Sequence, residues 1–329
     1  MDTGTHLVMG IAIGGLTLVD PVVANSTATT TAVIAGVIIG SQAPDIDTIL
    51  KLRNNAVYIR HHRGITHSIP AVILWPLLIS LVLFLLIPSA NLLHLWLWTF
   101  FAVALHVFVD IFNAYGTQAL RPFSKKWIAL GMINTFDPII FGLHVIAIMI
   151  WAFGANPVIT MFSLYAILTV YYIIRYALHH AVIHAVKNTI PDADIILLSP
   201  TRYFFQYRIA ANSSTHHYVG RAYGRSITLL DKFLIEPLPD TPEFHAAMQT
   251  PDLQSFISFS PLYRFEIRDI EDDLKEIRLI DLRYRSNNRY PFVAVAVIDP
   301  SLTVVRSFTG WIFSEEKLQS KLEEESNNS

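Results

Sequence analysis

Cysteine is absent from this 329-residue chain, which excludes disulfides and any thiolate metal site. Charge is scarce. Asp, Glu, Lys and Arg make up 15% of the residues, against about 25% in ordinary soluble proteins. The net charge is −2, so no general electrostatic pull toward nucleic acid exists and no nucleic-acid partner is expected. A cleavable leader is not expected either: Met1-Asp2-Thr3 has no positive stretch, and no Ala-x-Ala site follows the first apolar run.

What is abundant is apolar surface. Hydrophobic residues reach 53% and the mean hydropathy is +0.43. They are unevenly spread, which suggests two domains, residues 1–187 and 188–329. The expected fold is an α-helical integral membrane domain of about six transmembrane helices, followed by a β-rich α+β cytoplasmic domain. The spans fall at residues 6–19, 31–41, 69–87, 92–112, 138–153 and 157–186. The third and fourth approach the roughly 20 residues a bilayer core needs; the first two are short, and the second is rich in Gly and Ala, which suits close helix packing in lipid. In the tail, residues 203–209, 217–223 and 278–284 alternate as half-buried strands do, and residues 292–298 form a more continuous apolar strand. Residues 237–251 hold turns and a short helix, and residues 314–325 a charged terminal helix. The tail carries no catalytic motif, and its role is left open.

Orientation follows from the basic residues. The loops at 40–67 and 113–137 carry Lys51, Arg53, Arg60, Arg63, Arg121, Lys125 and Lys126, whereas the turns around Asp20, Pro88 and Asn156 carry none. The positive-inside rule therefore predicts a multi-pass protein of the cell membrane, with both termini and the 40–67 loop in the cytoplasm.

That loop concentrates the chemistry. Asp45 and Asp47, then His61, His62, Arg63 and His67, lie between almost purely apolar stretches. Ionisable groups so placed are costly near lipid and mark a functional site by default. The alternative is a charged membrane loop with incidental histidines. Asp-x-Asp followed by imidazoles is a ligand set that suits zinc, manganese or iron. In an extended segment Asp45 and Asp47 point the same way, and two adjacent carboxylates repel unless a cation or proton lies between them. His106, Asp110 and Asn113 recur at i, i+4 and i+7, one helix face; the structural alternative is a buried His–Asp pair fastening two helices. Arg63 suits phosphate or a developing oxyanion, or serves as a positive-inside anchor. Thr66 or Ser68 can cap the third span. His6 reads as a ligand or a surface histidine, His61 as outer or solvated, and His144 as a packing residue. His179, His180 and His184 read as a solvated helix end. By topology His6, Asp45, Asp47, His62, His67, His106 and Asp110 reach one membrane face, while His94 lies at the other with no assigned role.

Pro44-Asp-Ile-Asp47, His62-Arg-Gly-Ile-Thr-His-Ser68 and His106-x-x-x-Asp110 followed by Asn113-Ala-Tyr-Gly116 resemble the family of predicted membrane-bound metal-dependent hydrolases, which includes LexA-regulated inner-membrane proteins. The resemblance covers residues 1–186. It departs from the pattern at Thr5-His6, where the family has Gly-His. It implies a bacterial or archaeal multi-helical membrane protein with metal ligands at His6, Asp45, Asp47, His62, His67, His106 and Asp110. It supplies no substrate.

The expected function is a membrane-embedded hydrolase using a divalent metal ion, zinc first, with manganese or iron open. Asp47 would orient or deprotonate the attacking water, and Arg63, with Arg121, would hold an anionic group. The location favours an amphiphilic ester or phosphoester such as a membrane lipid as partner. The alternatives are a metal-ion transporter or sensor, and a membrane-anchored interaction or regulatory protein. Protein partners are not specified by the sequence.

Overall fold

The computed structural model describes residues 1–52, 63–270 and 273–326. They form two compact units, one of residues 1–47, 63–180 and 200–204, the other built mainly of residues 181–199 and 205–326.

The first unit is helical: α1 (Thr3–Leu16), α2 (Pro21–Ala24), α3 (Thr27–Gly40), α4 (Ile69–Leu86), α5 (Leu92–Asp110), α6 (Pro138–Ala152) and α7 (Pro157–Thr189). The first amides of a helix have no intrahelical partner, a heavy cost in apolar surroundings. Short polar side chains therefore start these helices: Asp2 accepts from the Thr5 amide at 3.0 Å, Ser68 from Ala71 at 3.4 Å, Asn91 from His94 at 3.2 Å and Asp137 from Ile139 at 3.0 Å. The buried core runs through Ile13, Val33, Val37, Leu95 and Ala102. Gly36 lets α3 and α5 touch there, because a Cβ would stand 2.5 Å from Thr99 Oγ1.

All six expected apolar helices are present as helices, and they differ in reach. Among the described residues, only α4, α5 and α7 are individually long and apolar enough to cross a membrane. A fourth span arises if α3 and the 3₁₀ helix Ala43–Leu52, bent by 46°, count as one. Residues 3–19 and α6 are shorter apolar helices. By length and composition alone, three helices, or four with the bent pair, meet the test for a span among the described residues.

The loop after α5 is shaped by polar side chains. Asn113 Oδ1 accepts from the amides of Tyr115 (2.9 Å) and Gly116 (2.7 Å). Gly116 has φ +69°, and a Cβ there would meet the Ile128 carbonyl oxygen at 2.1 Å, so the turn needs glycine. Arg175 of α7, fully buried, donates to the carbonyls of Met132 (3.0 and 2.7 Å) and Phe204, and His179 Nδ1 lies 3.1 Å from the Gly131 carbonyl. These contacts tie α7 to the loop.

The second unit holds two four-stranded sheets. One has the order β1 (Ile195–Pro200), β2 (Gln206–Asn212), β3 (His216–Tyr223), β4 (Ser226–Leu234). The other has β5 (Tyr263–Asp269), β6 (Lys275–Asp281), β7 (Phe292–Ile298), β8 (Val304–Trp311). The β2–β3, β3–β4, β5–β6, β6–β7 and β7–β8 pairs are antiparallel. Helices α8 (Pro242–Met248), α9 (Pro251–Phe259) and α10 (Glu315–Ser326) complete the unit. β7 is buried along its whole length, which explains its unbroken apolar sequence. α10 seats Leu318 and Leu322 against Val295 and Val297. The charged helix expected at the terminus is thus amphipathic, with one apolar stripe on the sheet.

Candidate metal centre

Four of the residues singled out above converge in the helical unit. One ligand atom each from Asp45, His67, His106 and Asp110 lies within 4.8 Å of the other three. Two come from α5, where one helical turn places His106 and Asp110 on the same face. Asp45 comes from the 3₁₀ helix after α3, which the bend turns back toward α5, and His67 from the 3₁₀ turn Ile65–His67 that leads into α4. His67, His106 and Asp110 are fully buried.

The hydrogen bonds fix both imidazoles in one tautomer. His106 Nδ1 lies 2.6 Å from the Ser41 carbonyl oxygen, which can only accept, so Nδ1 carries the proton. Thr66 donates its single hydroxyl proton to Asp47 Oδ2 at 2.8 Å, so at 3.1 Å it accepts from His67 Nδ1. Both histidines therefore present an acceptor pair at Nε2, and these nitrogens face each other at 3.3 Å. Two acceptors cannot hydrogen-bond to each other. Asp45 Oδ1 and Asp110 Oδ2 complete the group, and among the described residues neither buried atom makes a hydrogen bond, although the Arg63 guanidinium stands beside Asp110 Oδ2.

Two imidazole nitrogens and two carboxylate oxygens held this close together, with the Arg63 guanidinium at their edge, fit a cation. His67 Nε2 is 3.6 Å from Asp45 Oδ1 and 3.5 Å from Asp110 Oδ2; His106 Nε2 is 3.7 Å from each. Zinc bonds of about 2.0–2.1 Å place ligand atoms roughly 3.3–3.4 Å apart around a tetrahedron. The donor set, two neutral imidazoles and two carboxylate oxygens, and its spacing fit such an ion after small adjustment.

The surrounding contacts orient the donors. Asp110 Oδ1 is engaged by the Met1 nitrogen, by His6 Nε2 at 3.3 Å and by Asn113 Nδ2 at 3.4 Å, leaving Oδ2 toward the imidazoles. His6 is fully buried and stacks on His106 with ring centroids 3.6 Å apart. The surface reading of His6 is therefore wrong, and it stands outside the four-donor group. Asp47 stands outside as well: its Oδ2 accepts from the Arg63 amide at 2.7 Å and from Thr66. Arg63 is buried in a left-handed conformation, φ +57°. Its Nη2 donates to the Met1 carbonyl at 2.6 Å and its Nε lies 3.2 Å from Asp110 Oδ2, while Nη1 has no hydrogen-bond partner. Gln118 donates its amide to the Arg63 carbonyl at 3.0 Å. His61 and His62 lie outside the described residues. Ser68, not Thr66, caps α4.

Away from the centre, His94 Nδ1 meets Asp20 Oδ2 at 2.5 Å, and Trp98 donates to the same oxygen at 3.1 Å. His94 thus fastens α5 to the turn after α1. Arg175 was not among the residues the sequence brought forward, since one arginine in a long apolar helix carries no partner signal. Of the three histidines at the end of α7, His179 is buried while His180 and His184 are exposed, as a solvated helix end requires.

Comparison with known proteins gives a family and no activity. A family profile described as YdjM inner membrane protein matches residues 1–182. Two further profiles, the YfhP middle domain and the YfhP C-terminal alpha/beta plait domain, match residues 191–233 and 242–322. The chain is 55% identical over 323 residues to "Uncharacterized protein YfhP" of Bacillus subtilis (strain 168), covering 98% of both chains. No solved structure matches. Four donors brought together in a unit of apolar helices, a two-sheet α/β unit after them, and these matches lead to one statement: the chain belongs to the YdjM inner membrane protein family, in the form that continues into the YfhP middle and C-terminal domains.

Proposed function

We propose that this protein is a membrane-embedded metal-dependent hydrolase, with Asp45, His67, His106 and Asp110 holding a divalent ion, zinc before manganese or iron. The observation that carries the reading is the meeting of two imidazole Nε2 atoms, their Nδ1 atoms engaged by oxygens, with two buried carboxylate oxygens that make no hydrogen bond among the described residues. A divalent ion supplies Lewis acidity toward an ester or phosphoester and activates water at neutral pH. The chain's own residues do the rest. Arg63 holds an anionic oxygen through Nη1, as its fixed fork of donors suits. Asp47, through Thr66 and the Arg63 amide, sets the orientation of His67 and Arg63 together. Asn113 and His6 hold Asp110 Oδ1, so that Oδ2 keeps its aim.

The substrate class is an amphiphilic ester or phosphoester, such as a membrane lipid, because the donors are buried among apolar helices. The basic loops support a multi-pass topology of six helices with both termini in the cytoplasm. A reporter fused after Lys187 is expected to read cytoplasmic. Transport or sensing has less support: a path across the membrane needs polar residues in its outer half, and His94 there is already bound to Asp20.

Metal analysis of the purified full-length protein, with an activity screen on phosphoesters and lipid esters, tests the reading. The expectation is about one equivalent of metal and hydrolysis that chelation abolishes. Metal-free protein after growth in zinc, manganese and iron sinks it.

A further inference from the structure

The helical unit also contains a cavity of about 400 Å³ walled by α1, α5, α6 and α7, inside the roughly 300–1,000 Å³ range of small-molecule sites. Its wall is mostly apolar, with Met9, Phe112 and Leu168 among the lining residues. Two polar atoms in lining residues have no hydrogen-bond partner: His144 Nε2 and Tyr165 Oη. His144 is 2% exposed. Its Nδ1 lies 2.8 Å from the Ile140 carbonyl and must donate there, so Nε2 is an acceptor. Tyr165 offers a hydroxyl donor, its ring edge-on to the imidazole at 6.1 Å between centroids. In an apolar setting two stranded polar atoms are costly. A single hydroxyl satisfies both, donating to His144 Nε2 and accepting from Tyr165 Oη.

The cavity adjoins the candidate metal centre, for its lining residues Thr5 and Val109 directly precede His6 and Asp110. His144 lies six residues into α6, about 9 Å along it. At the mouth, Phe108, Ile173 and Tyr176 are 55%, 62% and 54% exposed, so the opening is apolar and suits a ligand arriving from a bilayer rather than from water.

We propose that this cavity binds a single-chain lipid with a free hydroxyl beside its headgroup, the pattern of a lysophospholipid. The chain occupies the apolar wall, the hydroxyl lies between His144 and Tyr165, and the headgroup points toward Asp110. This deepens the hydrolase reading and rests on it for the position of the headgroup.

The test uses full-length protein in vesicles of phosphatidylglycerol and phosphatidylethanolamine, irradiated with a lysophosphatidylglycerol whose acyl chain ends in a diazirine. Label is expected on peptides containing Phe108 and residues 168–173. Unlabelled lysophosphatidylglycerol should compete about fivefold better than its analogue lacking the free hydroxyl, the effect of one hydrogen-bonding group. Tyr165→Phe should erase that preference. Thr169→Trp, which fills the wall, should cut labelling by at least about fivefold, as loss of a comparable contact does. Ile173→Trp at the exposed mouth takes its place should Thr169→Trp fail to insert. Label spread evenly over the lipid-exposed helices, label indifferent to both tryptophans, or equal competition by the two lipids overturns the proposal. Cavity labelling without metal-dependent hydrolysis overturns the hydrolase reading alone. Metal-dependent hydrolysis without cavity labelling overturns this inference alone.

Discussion

In the sheet unit, Arg283 is 7% exposed, and its guanidinium meets both oxygens of the fully buried Asp281 at 2.6 to 3.1 Å and the Phe259 carbonyl at 3.0 Å. Arg278, 8% exposed, is likewise closed between Glu276 and Glu315. In the helical unit, Asp110 is just as buried, yet its Oδ2 faces three other electron-pair donors, with the Arg63 guanidinium 3.2 Å away but out of hydrogen-bond geometry. Buried ions that are mutually paired fasten a fold. Donors of one kind that converge are the arrangement a cation would complete, and that asymmetry singles out the candidate site.

The contrast is open to direct attack. The largest effect is expected in the helical unit: His106→Ala and Asp110→Asn should lose nearly all bound metal while still inserting, and His94→Ala should keep it. If His106 and Asp110 only fasten helices, metal content would stay at the wild-type level and stability would fall by about 1–3 kcal/mol. Next comes Asp281→Ala, which strands the Arg283 charge. It should destabilise the sheet unit by about 3–5 kcal/mol in chemical unfolding, with metal content unchanged. A smaller effect is expected one layer from the centre. Thr66→Val cuts the link from Asp47 to His67 and should weaken metal affinity by about 10–100-fold in competition with a chelator, without abolishing binding.

The smallest effect concerns pH. Burial raises the pKa of Asp231, but hydrogen bonds from Tyr290 and Arg285 more than offset this and hold its carboxyl below the usual range. A depressed carboxylate contributes stability above its unfolded pKa and loses it as pH falls through the folded value. Wild type should therefore lose more thermal stability between about pH 7 and pH 3 than Asp231→Asn does, the window set by the unfolded carboxylate. Equal losses would show the group adds nothing.

The parts of this molecule legible in the sequence share a physical cause. His106 and Asp110 announced themselves because helical spacing alone puts them together. Asp47 was grouped with Asp45 because alternation in an extended chain aligns them, but the segment is a 3₁₀ helix, and the two carboxylates part: Asp45 joins the cluster and Asp47 turns to Arg63 and Thr66. In the sheets, the strands expected from alternation correspond to β2, β3 and β6, and the one expected from a continuous apolar run to β7; these are the inner strands of both sheets. The four edge strands went unnamed. β4 shows why: it is exposed or half-buried throughout, so its sequence has no buried face to advertise. The expected strand at 278–284 ran three residues late because Leu282–Tyr284 leaves β6 as a 3₁₀ turn while remaining buried.

The fixed tautomers of His67 and His106 have a consequence for the life of the protein in its cell. With both Nδ1 atoms engaged by oxygens, the Nε2 atoms and the two carboxylate oxygens face one another, so on the proposed metal reading the loaded form would be the more stable one. A ligand that binds only the folded chain adds about 2.7 kcal/mol at a hundredfold excess over its Kd, a large share of the 5–15 kcal/mol that typically holds a protein together. Quality control that removes unfolded membrane proteins would then remove the unloaded chain first. If the proposed ion is bound, cellular abundance would track metal supply even with synthesis unchanged, and the level of this protein would gauge that supply.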